Sequence, residues 1–258
     1  MAKIFITGSA DGLGLMAARS LVANGHTVVL HARNQSRAKD TLSSVPGAET
    51  AVFGDLASIA ETKHVAERVN ELGSFDVVIH NAGVGYRESQ RIQTIDGLPQ
   101  VFAVNSLAPY LLTCLINKPR RLIYVSSGMH RSGDPTLKDL TWTSRSWDGS
   151  GAYADSKLHN VILAFAVARK WPSVLSNALE PGWVATKMGG PAAPDSLEEA
   201  TKTQIWLATS QEKEAMVSGK YFYHQQVRNF HPAAADTATQ ERYLAECARL
   251  SGVSFPME

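Results

Sequence analysis

Tyr153 and Lys157 stand four positions apart in the stretch YADSK. On a helix, residues so spaced lie about 5–6 Å apart at Cβ. A free phenol titrates near 10, too high for a good base at neutral pH. A neighbouring ammonium favours the phenolate and would bring the pair toward the range where a group gives and takes a proton. Spacing alone does not distinguish this from two solvated side chains, so the reading depends on what the chain sets beside them. Ser126 and Ser127 end the apolar run RLIYVSS. A serine hydroxyl there can hydrogen-bond a substrate oxygen and stabilise developing charge, or it can simply end a strand. No G-x-S-x-G elbow surrounds it, which argues against a hydrolytic nucleophile. Asn105 lies in the apolar stretch VFAVNSLAPYLLT, four residues before Pro109. Proline has no N–H for the carbonyl at i−4. The Asn105 carbonyl is thereby available to a water joining Lys157 to solvent, unless the kink serves packing alone.

A proton-handling phenol needs a partner for the rest of the reaction, and the N-terminus suggests one. FITGSADGLG ends an apolar run and opens a helix-like segment. A strand, a glycine turn and a helix N-terminus form an anion site, with outward N–H groups and a favourable dipole. Gly8, Gly12 and Gly14 would let the backbone approach a pyrophosphate. Their spacing is G-x-x-x-G-x-G, and Ser9, Asp11 and Leu13 fill the same turn. NAD sites usually carry an acid about 20 residues further on, for the ribose hydroxyls. Here the chain reads His31-Ala32-Arg33-Asn34. A guanidinium suits a 2′-phosphate with a forked, charge-assisted contact, so Arg33 predicts NADP(H) over NAD(H). Arg37 is either a second contact or a solvated helix residue.

The elements that must position these groups follow from periodicity. Strands are expected at 3–7, 27–32, 49–54, 75–80, 121–127, 174–180 and 220–224, with helices between them, among them 98–117 and 151–171. Continuous apolar strands such as FDVVIH imply a sheet covered on both faces, and strand–helix alternation implies parallel crossovers. The expected fold is α/β, a single-domain Rossmann-type doubly wound sheet spanning 1–258. It should have about seven parallel strands with helices on both faces. Two segments break the rhythm, 128–150 and 187–195, and long loops in compact domains are often functional. The second holds Gly189, Gly190, Pro191 and Pro194, and reads as a lid or a mobile surface loop. Ser196 with Glu199 restarts a helix as a capping box. Trp142, Trp147 and Trp183 are candidates for an apolar pocket.

Bulk composition excludes several classes. The chain has 258 residues, 44% of them hydrophobic, with 25 Lys plus Arg against 24 Asp plus Glu and a net charge of +1. That is enough apolar residue for a core and too little positive charge for a phosphate-gripping nucleic-acid binder. No apolar run reaches membrane-span length, and MAKIFITGSA lacks a signal peptide's apolar region. Cys114 and Cys247 read as reduced, buried thiols of a cytoplasmic protein. No metal-ligand spacing occurs, and His80, His130 and His159 stand apart from one another in the sequence as structural or surface residues.

The ordered motifs resemble the short-chain dehydrogenase/reductase family, in its shorter single-domain branch. Thr7-Gly8 with Gly12 and Gly14 matches its glycine motif. Asp55-Leu56 matches its adenine-contact pair, and Asn81-Ala82-Gly83 its N-A-G motif. Asn105, Ser127, Tyr153 and Lys157 fall where its catalytic tetrad lies. Pro181-Gly182, with Val184 and Thr186, matches the turn after its sixth strand. HAR, EPGWVAT and SGKYF look most like the retinol-dehydrogenase and carbonyl-reductase members. The resemblance selects Ser127 over Ser126 and implies that Lys157 also binds the nicotinamide ribose. It implies further that Thr186 bonds the carboxamide, and that the Asn105 water belongs to a proton relay. The Ser127–Tyr153 stretch is longer than the family's commoner spacing, and Glu180 stands before Pro181 where His or Ser is more familiar. The implied function is carbonyl–alcohol interconversion on a partly apolar small molecule, in a homo-oligomer by family habit. A dinucleotide-sensing regulator without turnover, or an epimerase or dehydratase on the same scaffold, are the other readings of this fold.

Overall fold

The structure is a computed structural model and describes residues 1–257. β1 (Lys3–Ile6) alternates strictly. Ile4 and Ile6 join a core on one face with Val28, Leu30, Ile79 and Leu179, while Phe5 joins the core on the other with Val29, Val78 and Leu122. Each such fully buried side chain contributes roughly 1.5–3 kcal/mol. Burial on both faces explains why the strands are apolar throughout.

The strands are β1, β2 (Thr27–Ala32), β3 (Thr50–Phe53), β4 (Val77–His80), β5 (Arg121–Val125), β6 (Leu175–Leu179), β7 (Tyr221–Tyr223) and β8 (Gln226–Val227). Their spatial order is β3-β2-β1-β4-β5-β6-β7-β8. The seven expected strands are present and parallel, and β8 adds a short antiparallel edge. The order reverses between β1 and β4, and ligands in such sheets bind outside the carboxyl ends at that switch point.

α1 (Gly12–Ala23) and α7 (Leu197–Thr209) cover one face; α3 (Ile59–Glu71), α5 (Ala108–Leu115), α6 (Gly149–Lys170) and α8 (Thr237–Ser251) cover the other. α2 (Gln35–Ser44) follows β2. Side-chain caps start all of these helices but α5: Asp11, Asn34, Ser58, Asp148, Ser196 and Asp236 each accept a backbone N–H. The Ser196 cap falls where the sequence places it, with Glu199 N donating at 3.1 Å. Gly25 and Gly73 follow α1 and α3 at positive φ, as the helix-stop reading requires. The expected helix at 98–117 is interrupted: α4 (Gln100–Phe102) passes through a π-turn at Ala103–Leu107 into α5. A third irregular segment, 81–99, follows β4, where the sequence pattern marks no break.

Candidate active site

A cavity of about 750 Å³ opens at the carboxyl ends of the parallel strands. It begins at the glycine turn. Gly8 and Gly12 take φ of +63° and +51°, and a Cβ on Gly8 would stand 2.8 Å from Ala82 Cα. Gly14 packs against Gly8 and Asn81 with no room for a side chain. The turn is held from two sides. Asn81 Nδ2 donates to the Thr7 and Gly8 carbonyls at 3.0 and 3.2 Å. The fully buried His31 ring accepts Gly8 N–H at Nδ1 (3.1 Å), so its other nitrogen carries the proton and donates to Gly54 O at 3.0 Å. Burial drives His31 down to about 4, which keeps this neutral tautomer.

Of the residues singled out from sequence, Gly8, Asp11, Gly12, Leu13, Arg33, Asp55, Leu56, Asn81, Ala82, Gly83, Ser127, Tyr153, Lys157, Pro181, Gly182, Val184 and Thr186 line this cavity, and so does Arg37. Three do not. Ser9 is fully buried and exchanges hydrogen bonds with the His31 backbone. Gly14 serves helix–strand packing, and Asn105 is wholly buried behind the wall. Asp11 lines the cavity, but its carboxylate caps α1 and pairs with Lys187, which lowers its pKa.

α6 carries Tyr153 and Lys157 on its buried flank. The Lys157 ammonium lies 5.4 Å from the Tyr153 ring centre and donates to Val125 O at 3.0 Å. Burial dominates both groups. Tyr153 is pushed up to about 12, with the Ser127 hydroxyl pulling the other way, and Lys157 is driven down to about 8. In the chain by itself, desolvation is the first cause of the phenol's rise. Ser127 caps a 3-10 turn at Gly128–Ser132, its oxygen accepting Met129 N–H at 3.3 Å. Its own O–H bears on the Tyr153 oxygen, the contact that pulls the phenol down.

Asn105 works through its side chain. Its amide brackets Val84, accepting from Val84 N at 2.8 Å and donating to Val84 O at 3.0 Å. It also donates to Ser156 Oγ, which donates to the Tyr153 carbonyl at 2.7 Å. One chain of bonds thus joins the loop after β4 to the backbone of the phenol. The π-turn sits at Asn105 itself, where Pro109 withholds an α-helical donor.

Segment 128–150 adds only Met129 to the cavity wall; Trp142 and Trp147 pack behind Tyr153 with Val101 and Ala152. Trp183, half exposed, does line the cavity, as do Lys187, Met188 and Gly189 of the expected lid. That segment closes on itself through Trp183 Nε1 to Gly189 O at 2.9 Å and Trp183 N to Asp195 at 2.6 Å. Tyr86 and Arg87, from the unmarked segment after N-A-G, complete the wall, and the Tyr86 ring lies 5.7 Å from that of Tyr153. Their signal in the sequence was the helix-free gap between Gly83 and Gln100. Cys114 and Cys247 are free thiols, the first only partly buried. Among the described residues, no group of His, Cys, Asp and Glu could hold a metal, and no helix is long and apolar enough to cross a membrane.

This geometry can be set against known proteins. The short chain dehydrogenase family matches residues 2–129. An uncharacterised oxidoreductase of Emericella nidulans is 46% identical, covering 99% of both chains. Human retinol dehydrogenase 13 is 31% identical over 98% of this chain and 85% of its own. The NADPH-bound carbonyl reductase from chicken fatty liver superposes with a TM-score of 0.69 at 22% identity. That match covers 89% of this chain and 99% of the reductase, and it speaks for the fold. The arrangement of strands, glycine turn and polar cluster, together with these full-length relatives, places the chain in the short-chain dehydrogenase/reductase family, among its NAD(P)-dependent oxidoreductases.

Proposed function

We propose that this oxidoreductase moves a hydride between NADP(H) and a carbonyl or alcohol, with Tyr153 as general acid and base. The observation that carries the reading is the single cavity wall holding Tyr153, Lys157 and Ser127, continuous with the glycine turn. The residues fit a dinucleotide. The α1 N-terminus and the positive-φ glycines form a cradle for a pyrophosphate. Arg33 and Arg37 stand exposed at the far end of the cavity, where β2 supplies no acid. A guanidinium pair there suits a 2′-phosphate. Bound dihydronicotinamide supplies the hydride.

The chain does the rest. In reduction, Ser127 O–H donates to the substrate oxygen and Tyr153 O–H delivers the proton, which leaves a phenolate. The Lys157 ammonium beside it offsets that charge. In oxidation, the phenolate takes the alcohol proton. Lys157 also suits the ribose hydroxyls, Thr186 the carboxamide, and the Asn105 carbonyl a water that returns protons to Lys157. Val84, Tyr86, Val104, Met129 and Met188 make the remaining wall largely apolar, which fits a partly apolar small molecule. A silent regulator would have no use for both Tyr153 and Lys157.

The test is a panel of aromatic ketones, aldehydes and quinones followed by NADPH absorbance. Tyr153→Phe is expected to keep NADPH binding and lose turnover by at least about a hundredfold. Wild-type-like turnover would remove Tyr153 from the chemistry. Arg33→Ala is expected to raise KM for NADPH by about tenfold and leave KM for NADH nearly unchanged; equal effects would overturn the NADP assignment.

A further inference from the structure

The turn that carries Ser127 is braced by side chains the proposed chemistry does not use. The His130 ring is wholly buried and has two directed contacts. Nδ1 bonds the Ser127 carbonyl at 2.8 Å, and Nε2 accepts the His231 N–H at 3.2 Å. A ring that accepts at Nε2 and faces a carbonyl at Nδ1 has one workable neutral tautomer, with its proton on Nδ1. Its ring centre lies 4.4 Å from that of Tyr221 on β7. The next residue, Arg131, donates to Glu180 Oε1 at 3.1 Å and to Asn229 O at 3.0 Å. Glu180 follows β6, is mostly buried, and rests its carboxylate against Gly128. Its backbone N–H bonds Phe222 O at 2.9 Å. The ends of β5, β6 and β7 therefore meet at the residue next to Ser127.

We infer that His130 and the Arg131–Glu180 pair are positioning residues that fix the Ser127 hydroxyl over the reacting oxygen. His130 holds the Ser127 carbonyl, and Glu180 fills the space over Gly128. The peptide between Ser127 and Gly128 then has one orientation, and Oγ points into the cavity. Glu180 also precedes Pro181 and Gly182 in the cavity wall, so the same ion pair ties the serine turn to the opposite wall. A serine displaced by about 1 Å can lose up to about a hundredfold in rate with no change in cofactor contacts.

This inference rests on the roles proposed for Tyr153 and Ser127, and the experiment separates the two. Full-length His130→Phe, His130→Asn, Glu180→Gln, Ser127→Ala and the double variant Ser127→Ala/His130→Phe are assayed with NADPH and the panel carbonyl reduced fastest by wild type. NADPH binding and thermal midpoint are measured on each. His130→Phe should lower kcat by at least about tenfold and leave KM for NADPH within about twofold. His130→Asn, whose amide can still donate to the Ser127 carbonyl, should recover most of kcat. Glu180→Gln keeps the shape, drops the charge pairing and should lower kcat by about threefold to tenfold. On the Ser127→Ala background, His130→Phe should add almost nothing, because both act through one hydroxyl. Additive losses in the double variant, wild-type kcat in both His130→Phe and Glu180→Gln, or loss of NADPH binding in parallel with kcat would each overturn the inference. If His130→Phe does not fold, Glu180→Gln decides it by the same kcat criterion: a wild-type kcat there overturns the inference. Tyr153→Phe marks the other failure: retained turnover there sinks the reading of the site itself.

Discussion

Lys157 and Tyr153 move in opposite directions for one reason. Each is nearly sealed from water, and burial penalises whichever form is charged. The phenol, up at about 12, stays protonated at neutral pH, so it is a ready acid and a poor base. The amine, down at about 8, keeps its charge through neutrality and loses it above. Carbonyl reduction needs the phenol protonated and the amine charged, and both hold below about pH 8. Reduction by NADPH is therefore expected to be flat across roughly pH 6 to 7.5 and to decline above about 8, while oxidation with NADP+ climbs with pH through the same range. A pH series of kcat in both directions checks this, and a reduction rate that rises through pH 9 would contradict it. The four-residue spacing made this pair legible because a helix fixes neighbours locally. The size and sign of the phenol's shift were not legible, because they depend on how completely Trp142, Val101 and Tyr86 enclose it.

The stretch 128–150 shows what an element can do that its composition does not announce. It reads as a polar loop beside the site, yet it is a strap across α6. Asp155, buried on α6, accepts Asp134 N–H at 2.7 Å and pairs with the Arg145 guanidinium. That guanidinium lies 3.5 Å from the Trp142 ring centre, and Trp142 meets Trp147 edge-on at 5.4 Å. The two tryptophans back Tyr153, so one carboxylate in YADSK anchors the loop that walls in its own neighbour. Asp155→Ala removes the anchor and leaves Arg145 unpaired by it. Removing one partner of a buried pair costs about 3–5 kcal/mol; with Arg145 about a third exposed, a loss on the order of 2 kcal/mol is the discounted figure. The expected result is faster proteolysis within 133–148 and a thermal midpoint lower by several degrees, with NADPH binding retained. Asp155→Asn, which still accepts from Asp134, should lose less. Equal protease resistance in wild type and Asp155→Ala would show that the strap is held elsewhere. Strand and helix positions came from period and caps, which are local. The break at Asn105 was marked by Pro109 four residues on, but the strap and segment 81–99 escaped because contacts such as Asn105 to Val84 and Arg145 to Asp155 join residues that no periodicity pairs.

Four histidines give the whole molecule a common weakness to acid. His31 and His130 are driven down to about 4, and His80 and His159 to about 3, burial being the first cause in each. They are spread through the fold. His31 braces the glycine turn, His80 stacks on Tyr124, His130 holds the serine turn, and His159 bonds Ser106 and stacks on Tyr243 of α8. In the unfolded chain each binds a proton near 6.5, and in the folded chain it does not until the pH is far lower. The unfolded state therefore holds more protons between these limits, and stability falls as pH falls through that window. Glu88 and Asp155, raised by burial, take up protons in the folded state and oppose the trend in part. Stability should be nearly level just above pH 7 and fall steadily below about 6.5, with a net uptake of about three protons on unfolding near pH 5. For a chain of this length the thermal midpoint should drop by at least about 10 °C between pH 7 and pH 5. Calorimetry or denaturant titration at stepped pH measures the slope. The drop should follow pH and not ionic strength, since the sites are buried beyond the reach of screening. A His159→Gln variant, which replaces one ring by a non-titrating amide, should reduce the uptake by about one proton. A midpoint that stays level from pH 7 to pH 5 would mean that these rings open to solvent without unfolding the sheet they support.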